Sequence, residues 1–303
     1  MHRNICLTLI FALIMMTFAG CGAKASDDGG KDTVSGDTTL SCDQMQSESR
    51  KEIPDKIKFV DAFGEEYEVS VNKAVPMNEY MSGNFKHHGD HVTYRDSKYK
   101  SRIGVDVSYH QGDIDWEKVK ESGVKFAIIR IGFRGYGKSG ALNADKRYKE
   151  YIEGAHKAGL DVGVYFFAQA INESEAAEEA DFVLELLDGQ KLELPVVYDP
   201  ESILDDEART DNVTGEQFTA NTKVFCEKIS EAGYIPMIYA NMLWEAYELD
   251  LSQLSEYQVW YADYEKVPQT PYHFTYWQYT NKASVPGISG ETDLDIQIMK
   301  KKE

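Results

Sequence analysis

From Arg102 onward the chain alternates short apolar runs with longer stretches in which apolar residues return every three or four positions. The runs "RIGVDVS" (102–108), "KFAIIRIG" (125–132), "DVGVYFFA" (161–168), "LPVVYDPE" (194–201) and "IPMIYA" (235–240) are rich in branched and aromatic residues. Largely apolar on both faces, they predict buried strands of a parallel sheet. Stretches 115–123, 144–159, 174–189 and 214–233 predict helices, with Gly123 and Gly159 as stops, because glycine tolerates the left-handed conformation that ends a helix. Ser174 is the expected cap of the third, ahead of an acidic first turn, and Thr214 with Gln217 has capping-box spacing. A helix from about Asn241 is expected next. Three strands follow with little helix between them, "YQVWYA" (257–262), "FTYWQY" (274–279) and "DLDIQI" (293–298). This alternation predicts an α/β fold, and around eight strands beginning at Ile103 predict a closed but irregular barrel. No internal repeat is present.

Residues 53–99 have a different, short-period texture. "IKFVDAFGEEYEVSV" predicts a hairpin turning near Phe63, Gly64 and Glu65. "FKHHGDHVTY" reads as a solvated polar loop; His87, His88, Asp90 and His91 cluster there, but not at the helical or hairpin spacing a metal site uses. Segment 53–101 is therefore expected to be an accessory β piece packed on a barrel occupying 102–303.

The first residues, "MHRNICLTLIFALIMMTFAGC", have a short basic start, an apolar run from Ile5 to Phe18 and small residues before Cys21. That predicts a secretory signal over 1–20 rather than a membrane span. Phe18, Ala19, Gly20 and Cys21 resemble a bacterial lipobox, which predicts lipidation of Cys21; an ordinary cleaved signal is the alternative. Either places the folded part outside the cytoplasm, and the first adds a membrane lipid anchor. Residues 21–52 are dominated by Gly, Ser, Asp and Thr and predict a flexible tether, having too little to bury to offset ordering. Of the four cysteines, Cys6 leaves with the signal and Cys21 is the expected lipidation site, so Cys42 and Cys226 remain; a buried unpaired Cys226 is favoured over a disulfide. The net charge of −19 argues against a nucleic-acid partner and against electrostatic docking on anionic surfaces.

"GFRGYGKSG" (132–140) matches the phosphate-loop pattern G-x-x-x-x-G-K-[ST], and "LPVVYD" would supply a following acidic strand. A phosphate loop must turn straight into a helix whose N-terminus faces the phosphates. Here Ser139 is followed by "GALNAD", a poor first helical turn. No nucleotide is expected. The stretch is expected to be a glycine-rich strand-to-helix loop on the barrel rim.

Carboxylates are more informative. Asp199 and Glu201, two apart at a strand end, point to one face. Asp106 ends the first strand, and Asp293 and Asp295 open the last, which lies beside the first in a closed barrel. Acids from three strands thus meet at the C-terminal mouth, where barrels of this kind carry chemistry. Close like charges raise one another's pKa and keep a carboxyl protonated, as glycosidic cleavage requires. The same stretches hold Tyr109, Tyr165, Tyr239, Trp260, Tyr261, Tyr264, Trp277 and Tyr279, divided between core and sugar-facing roles.

The successive stretches "GVDVSYHQGDIDWEKVKESGVKFAIIRIGFRG", "AGLDVGVYFF", "LPVVYDPE", "PMIYAN", "VWYADY", "YWQYT" and "VPGISGETDLDI" resemble the signatures of glycoside hydrolase family 25 over about residues 102–298. These are the Chalaropsis-type lysozymes, or N-acetylmuramidases. The resemblance implies a TIM-like (β/α)5β3 barrel of five helices and eight strands. It also implies cleavage of the β-1,4 bond between N-acetylmuramic acid and N-acetylglucosamine in peptidoglycan glycan strands, without cofactor or metal. Glu201 then matches the general acid, Asp199 its companion carboxylate, Asp106 the first-strand aspartate and Asp293 the aspartate of the final motif. Asp295 stands where asparagine is usual. Tyr239, Trp277 and Gln278 match sugar-contact positions, and Arg130 and Tyr165 are further substrate-binding candidates. The rival from another class is an inactive wall-binding lipoprotein with the same barrel; a chitinase-like barrel lacks its D-x-x-D-x-D-x-E strand here.

Overall fold

The computed structural model describes residues 53–302 apart from residue 205, all within one compact unit, Glu52–Glu303. The signal, Cys21, Cys42 and the tether lie outside the described residues. Two antiparallel hairpins come first, β1 (Lys56–Val60) with β2 (Glu66–Ser70) and β3 (Phe85–His88) with β4 (His91–Tyr94). The chain then runs through β5 (Tyr99–Val107), α1 (Trp116–Glu121), β6 (Phe126–Arg134), β7 (Leu142–Ala144), α2 (Tyr148–Lys157), β8 (Asp161–Ala168) and α3 (Glu173–Leu187). It continues with β9 (Val196–Pro200), α4 (Gly215–Glu231), β10 (Pro236–Asn241), β11 (Gln258–Ala262), β12 (Tyr276–Ala283) and β13 (Thr292–Lys300).

Eight of these strands close a ring in the order β5, β6, β8, β9, β10, β11, β12, β13 and back to β5. All neighbours are parallel except β13, which is antiparallel to both β12 and β5. The irregular barrel expected from the sequence is present, and its closure brings Asp293 opposite Asp106 in register. Inward residues Phe126, Ile128, Val197, Met237, Trp260 and Tyr276 fill the space below the mouth. Gly104 makes room among them, since a Cβ there would lie 2.1 Å from the Phe126 ring. Outward residues such as Ile129, Val162, Val164 and Ile238 join the larger core that includes buried residues of the helices.

Several local readings are revised. The cap of α3 is Asn172, not Ser174: its side chain accepts from Glu175 N at 3.0 Å, while the Glu175 carboxylate accepts from Ile171 N at 3.1 Å. That reciprocal pair satisfies two otherwise orphaned donors, which Ser174, two residues later and already inside the helix, could not. Thr214 does cap α4, accepting from Gln217 N at 3.2 Å. The helix expected from Asn241 is short and ends in a π-helical turn, Trp244–Glu248. "FKHHGDHVTY" is a hairpin rather than a loop, turning at Gly89 with φ +62°. Its apolar face of Phe85, Val92 and Tyr94 is buried under a polar outer face, and His87 bonds the Lys266 carbonyl at 2.7 Å. Cys226 is a free thiol fully buried on α4.

The boundary expected between residues 101 and 102 falls inside β5, because the first barrel strand begins at Tyr99. Residues ahead of it are stitched to the barrel by backbone: Asn78 N donates to Pro271 O at 2.9 Å and His273 N to Pro76 O at 2.8 Å. The Gln269 amide pairs with both backbone groups of Val60 at 2.8 Å.

"GFRGYGKSG" forms neither a phosphate loop nor a strand-to-helix loop. It joins β6 to β7 as an antiparallel hairpin, with Gly132 opposite Ala144. Its Tyr136 carbonyl accepts from Arg209 N at 2.9 Å. Gly140 leaves the space occupied by the Arg209 guanidinium, 2.4 Å from where a Cβ would sit. The hairpin therefore braces the segment that follows Glu201.

Candidate active site

The alternation of side chains along a strand decides which residues reach the barrel mouth. Asp106 on β5, Asp199 on β9 and Asp295 on β13 are buried there, while Asp293 on β13 and Glu201, the residue following β9, are partly exposed. Five carboxylates in so little water cannot all ionise. Burial, and after it the neighbouring Asp293, pushes Glu201 up to about 7. Burial pushes Asp293 up to about 6. Asp199 is raised well above the carboxylate range by burial and then by Glu201, with Arg130 opposing. Burial, then Asp293 and Asp295, does the same to Asp106.

A hydrogen-bonded chain holds the cluster. Tyr239 and Tyr264 donate their hydroxyls to Gln278 Oε1 at 3.0 and 3.2 Å, and Gln278 Nε2 donates to Asp106 Oδ2 at 2.9 Å. The indole of Trp260 donates to Asp295 Oδ1 at 2.8 Å. Asp199 Oδ1 is buried with no hydrogen-bond partner. Such orphaned oxygens are rare in folded proteins and fit a site built to receive a donor.

The structure gathers Asp106, Asp199, Glu201, Asp293, Tyr239, Gln278, Tyr165 and Arg130 around the mouth. Tyr165 stands edge-on to Trp260 at 5.9 Å, and Arg130 donates Nε to Asp145 at 3.0 Å. Trp277 does not belong with them. On β12 it alternates with inward Tyr276 and Gln278, so it faces outward, fully buried, 5.2 Å from the Phe85 ring. Its indole donates to Asp263 O at 2.7 Å. A sugar cannot reach it there.

Gln169, just beyond β8, was not singled out from the sequence. It is buried, donates Nε2 to the Glu201 carbonyl at 2.7 Å and accepts from Thr210 Oγ1 at 2.9 Å. Its own backbone is held by Glu179 Oε1 at 3.1 Å and by Arg209 at 3.0 Å. Behind it Arg134 pairs with Glu179 at 2.8 Å, and Arg209 grips both oxygens of Glu175 at 2.6 and 2.7 Å. A polar residue after an apolar strand was the one available signal, and most such residues face solvent.

With this geometry in view, comparison with known proteins is decisive on family. The sequence model of "Glycosyl hydrolases family 25" matches residues 105–288, more than half of the chain. The chain belongs to glycosyl hydrolase family 25. The matched span includes Asp106, Asp199 and Glu201. Among curated relatives, the chain is 28% identical over 193 residues to the autolytic lysozyme of Clostridium acetobutylicum, covering 63% of this chain and 54% of that one. It is 26% identical over 211 residues to lysozyme M1 of Streptomyces globisporus, covering 63% and 65%. The chain thus spans between about half and two thirds of the length of these relatives. A family 25 glycosyl hydrolase from Bacillus anthracis superposes with TM-score 0.55 at 25% identity, covering 70% of this chain and 94% of that one. The modular autolysin LytC of Streptococcus pneumoniae shares the fold, with TM-score 0.58 at 22% identity over 80% and 57%.

Proposed function

We propose that this family 25 barrel is a muramidase hydrolysing the β-1,4 bond between N-acetylmuramic acid and N-acetylglucosamine in peptidoglycan, with Glu201 as general acid. The observation that carries the reading is the crowded carboxylate mouth, in which Glu201 is held protonated to about pH 7 yet stays partly exposed. A proton held there can pass to the glycosidic oxygen as the bond to the leaving sugar breaks. Positive charge then develops at the anomeric carbon, which Asp293, ionised above about pH 6 while Glu201 keeps its proton to about 7, stabilises. The orphaned Asp199 Oδ1 suits the N–H of the 2-acetamido group, orienting its carbonyl oxygen to attack the anomeric carbon. Glu201, now deprotonated, takes a proton from the water that opens the cyclic intermediate. Net retention follows from two displacements.

The deciding experiment is digestion of purified peptidoglycan followed by NMR of the fresh reducing ends. The β-anomer of muramic acid should form first. Absence of muramic reducing ends would sink the muramidase reading, and an initial α-anomer would replace acetamido participation with direct attack by water. Tyr239, Gln278 and Tyr165 are proposed to contact the sugar. The enzyme needs no cofactor in this reading.

Gln169 is proposed as a positioning residue for Glu201. Gln169→Ala should lower kcat about tenfold or more with KM little changed, because small misplacement of a reacting group is costly. A matched fall in melting temperature with kcat intact would assign Gln169 to stability alone.

The sequence features at the N-terminus support action outside the cytoplasm from a lipid anchor at Cys21. Cys21→Ser should move the protein from the membrane fraction to the soluble one; unchanged fractionation would exclude the anchor.

A further inference from the structure

One wall of the mouth is cationic in a chain whose net charge is −19. The Tyr109 ring has the Arg130 guanidinium at 5.2 Å and the Lys146 ammonium at 5.0 Å, with the His110 ring 4.1 Å away. Burial lowers the His110 pKa, and Arg130 and Lys146 lower it further against the opposing pull of Asp145, so these three charged groups all act on the ring. Asp145 offsets one of the two cations but leaves part of Arg130 free. Its Oδ2 already accepts from Arg130 Nε at 3.0 Å and Tyr109 N at 3.1 Å, and its Oδ1 from Arg147 N at 3.0 Å. Arg130 Nη2 is left buried with no partner. A guanidinium nitrogen held in that state is a donor waiting for an acceptor.

We infer that Arg130, Lys146 and His110 form a carboxylate-binding subsite that takes the acid group carried on the O3 ether of the bound muramic acid. The inference rests on the muramidase reading and deepens it. Arg130 is near enough to Asp199 to oppose the rise of its pKa, and the two sit on strands separated only by β8. If Asp199 holds the 2-acetamido group, the substituent on the adjacent ring carbon, O3, points along the same wall. Elsewhere around the mouth a carboxylate would meet other carboxylates. Here it meets Arg130 and Lys146, with only Asp145 set against them. Muramic acid carries such a group and a chitin-type sugar does not, so the wall discriminates between them. The carboxylate has two sources of the same chemistry: the free lactyl acid of peptide-free strands, or the first peptide acid where the lactyl group is amidated.

The test uses the full chain and matched glycan strands. Peptide-free strands are compared with the same strands after reduction of their lactyl acids to alcohols. Peptide-bearing strands are compared with the same strands after amidation of the peptide acids. Wild type should show roughly tenfold higher kcat/KM on the carboxylate member of at least one pair, the scale of a charge-assisted bond. The member pair that responds names the source. Added salt should shrink the preference. Arg130→Gln should bring the ratio close to one, and Lys146→Ala, an exposed change that spares folding, should reduce it severalfold. A wild-type ratio near one in both pairs, or a ratio that survives both substitutions, overturns the subsite. Wild type that cleaves none of the four substrates instead removes the muramidase reading.

Discussion

Glu201→Gln is expected to cut turnover on peptidoglycan by about 10²- to 10⁴-fold, the usual span for loss of a general acid, while leaving the barrel folded. Glutamine keeps the size of the side chain and the carbonyl anchored by Gln169, but carries no transferable proton. The same substitution should have a pH-dependent effect on stability. The folded protein holds Glu201 up to about 7 and Asp293 up to about 6, above their ordinary values of 4.5 and 3.8. A raised carboxyl pKa means that the native state prefers the proton. That contribution is fully present below about pH 4 and is lost as pH rises through 6 and 7. Wild type should therefore lose stability across this window, and the variant should lose less. At pH 7.5 Glu201→Gln should be more stable than wild type by roughly 1–2 kcal/mol, and near pH 4 the two should coincide. Thermal melts at both pH values, alongside turnover, check the pair. Activity within twofold of wild type would remove Glu201 from its role, and equal shifts at both pH values would remove the buried-carboxylate explanation. Wild-type turnover should also fall on the alkaline side as Glu201 loses its proton near pH 7.

Arg134→Ala should produce the largest loss of stability. Arg134 is almost fully buried at the end of β6 and donates to Glu179 at 2.8 Å, Gly140 O at 2.9 Å, Glu175 O at 2.9 Å and Glu178 at 3.2 Å. Burial already raises Glu179 to about 7 with Arg134 pulling it down. Removing the guanidinium leaves a buried carboxylate and two backbone carbonyls without their donor. Breaking a buried pair this way typically costs about 3–5 kcal/mol, or roughly 6–20 °C in melting temperature for a domain of this size. Turnover should fall as well, since Glu179 also holds the backbone of Gln169. Replacing both partners with apolar residues, Arg134→Met with Glu179→Leu, should recover much of the stability but not the turnover. A melting temperature for Arg134→Ala within 2 °C of wild type would show that the pair is not a structural anchor.

The sequence by itself determined the barrel, because apolar strand periods and helix stops are local properties written in neighbouring residues. It also determined the strand-end acids: Asp199 and Glu201 share a face through their spacing, and Asp106 near the end of the first strand meets Asp293 near the start of the last wherever the ring closes. The glycine-rich loop shows how far a pattern can mislead, since "GFRGYGKSG" matches a phosphate loop in every position yet turns back as the hairpin of β6 and β7. Its glycines serve that reversal and the close approach of Arg209. What only the tertiary structure decided depends on contacts far apart in the chain. The accessory hairpin carrying Phe85 covers the outer face of β12, which turns Trp277 from a sugar-contact candidate into core. Gln169 acts on Glu201 across 32 positions, and Gln278 on Asp106 across 172. A strand period assigns a side chain to one face or the other. Which face is the site, and which polar groups there are left without partners, is settled only when the ring closes and every buried donor has sought its acceptor.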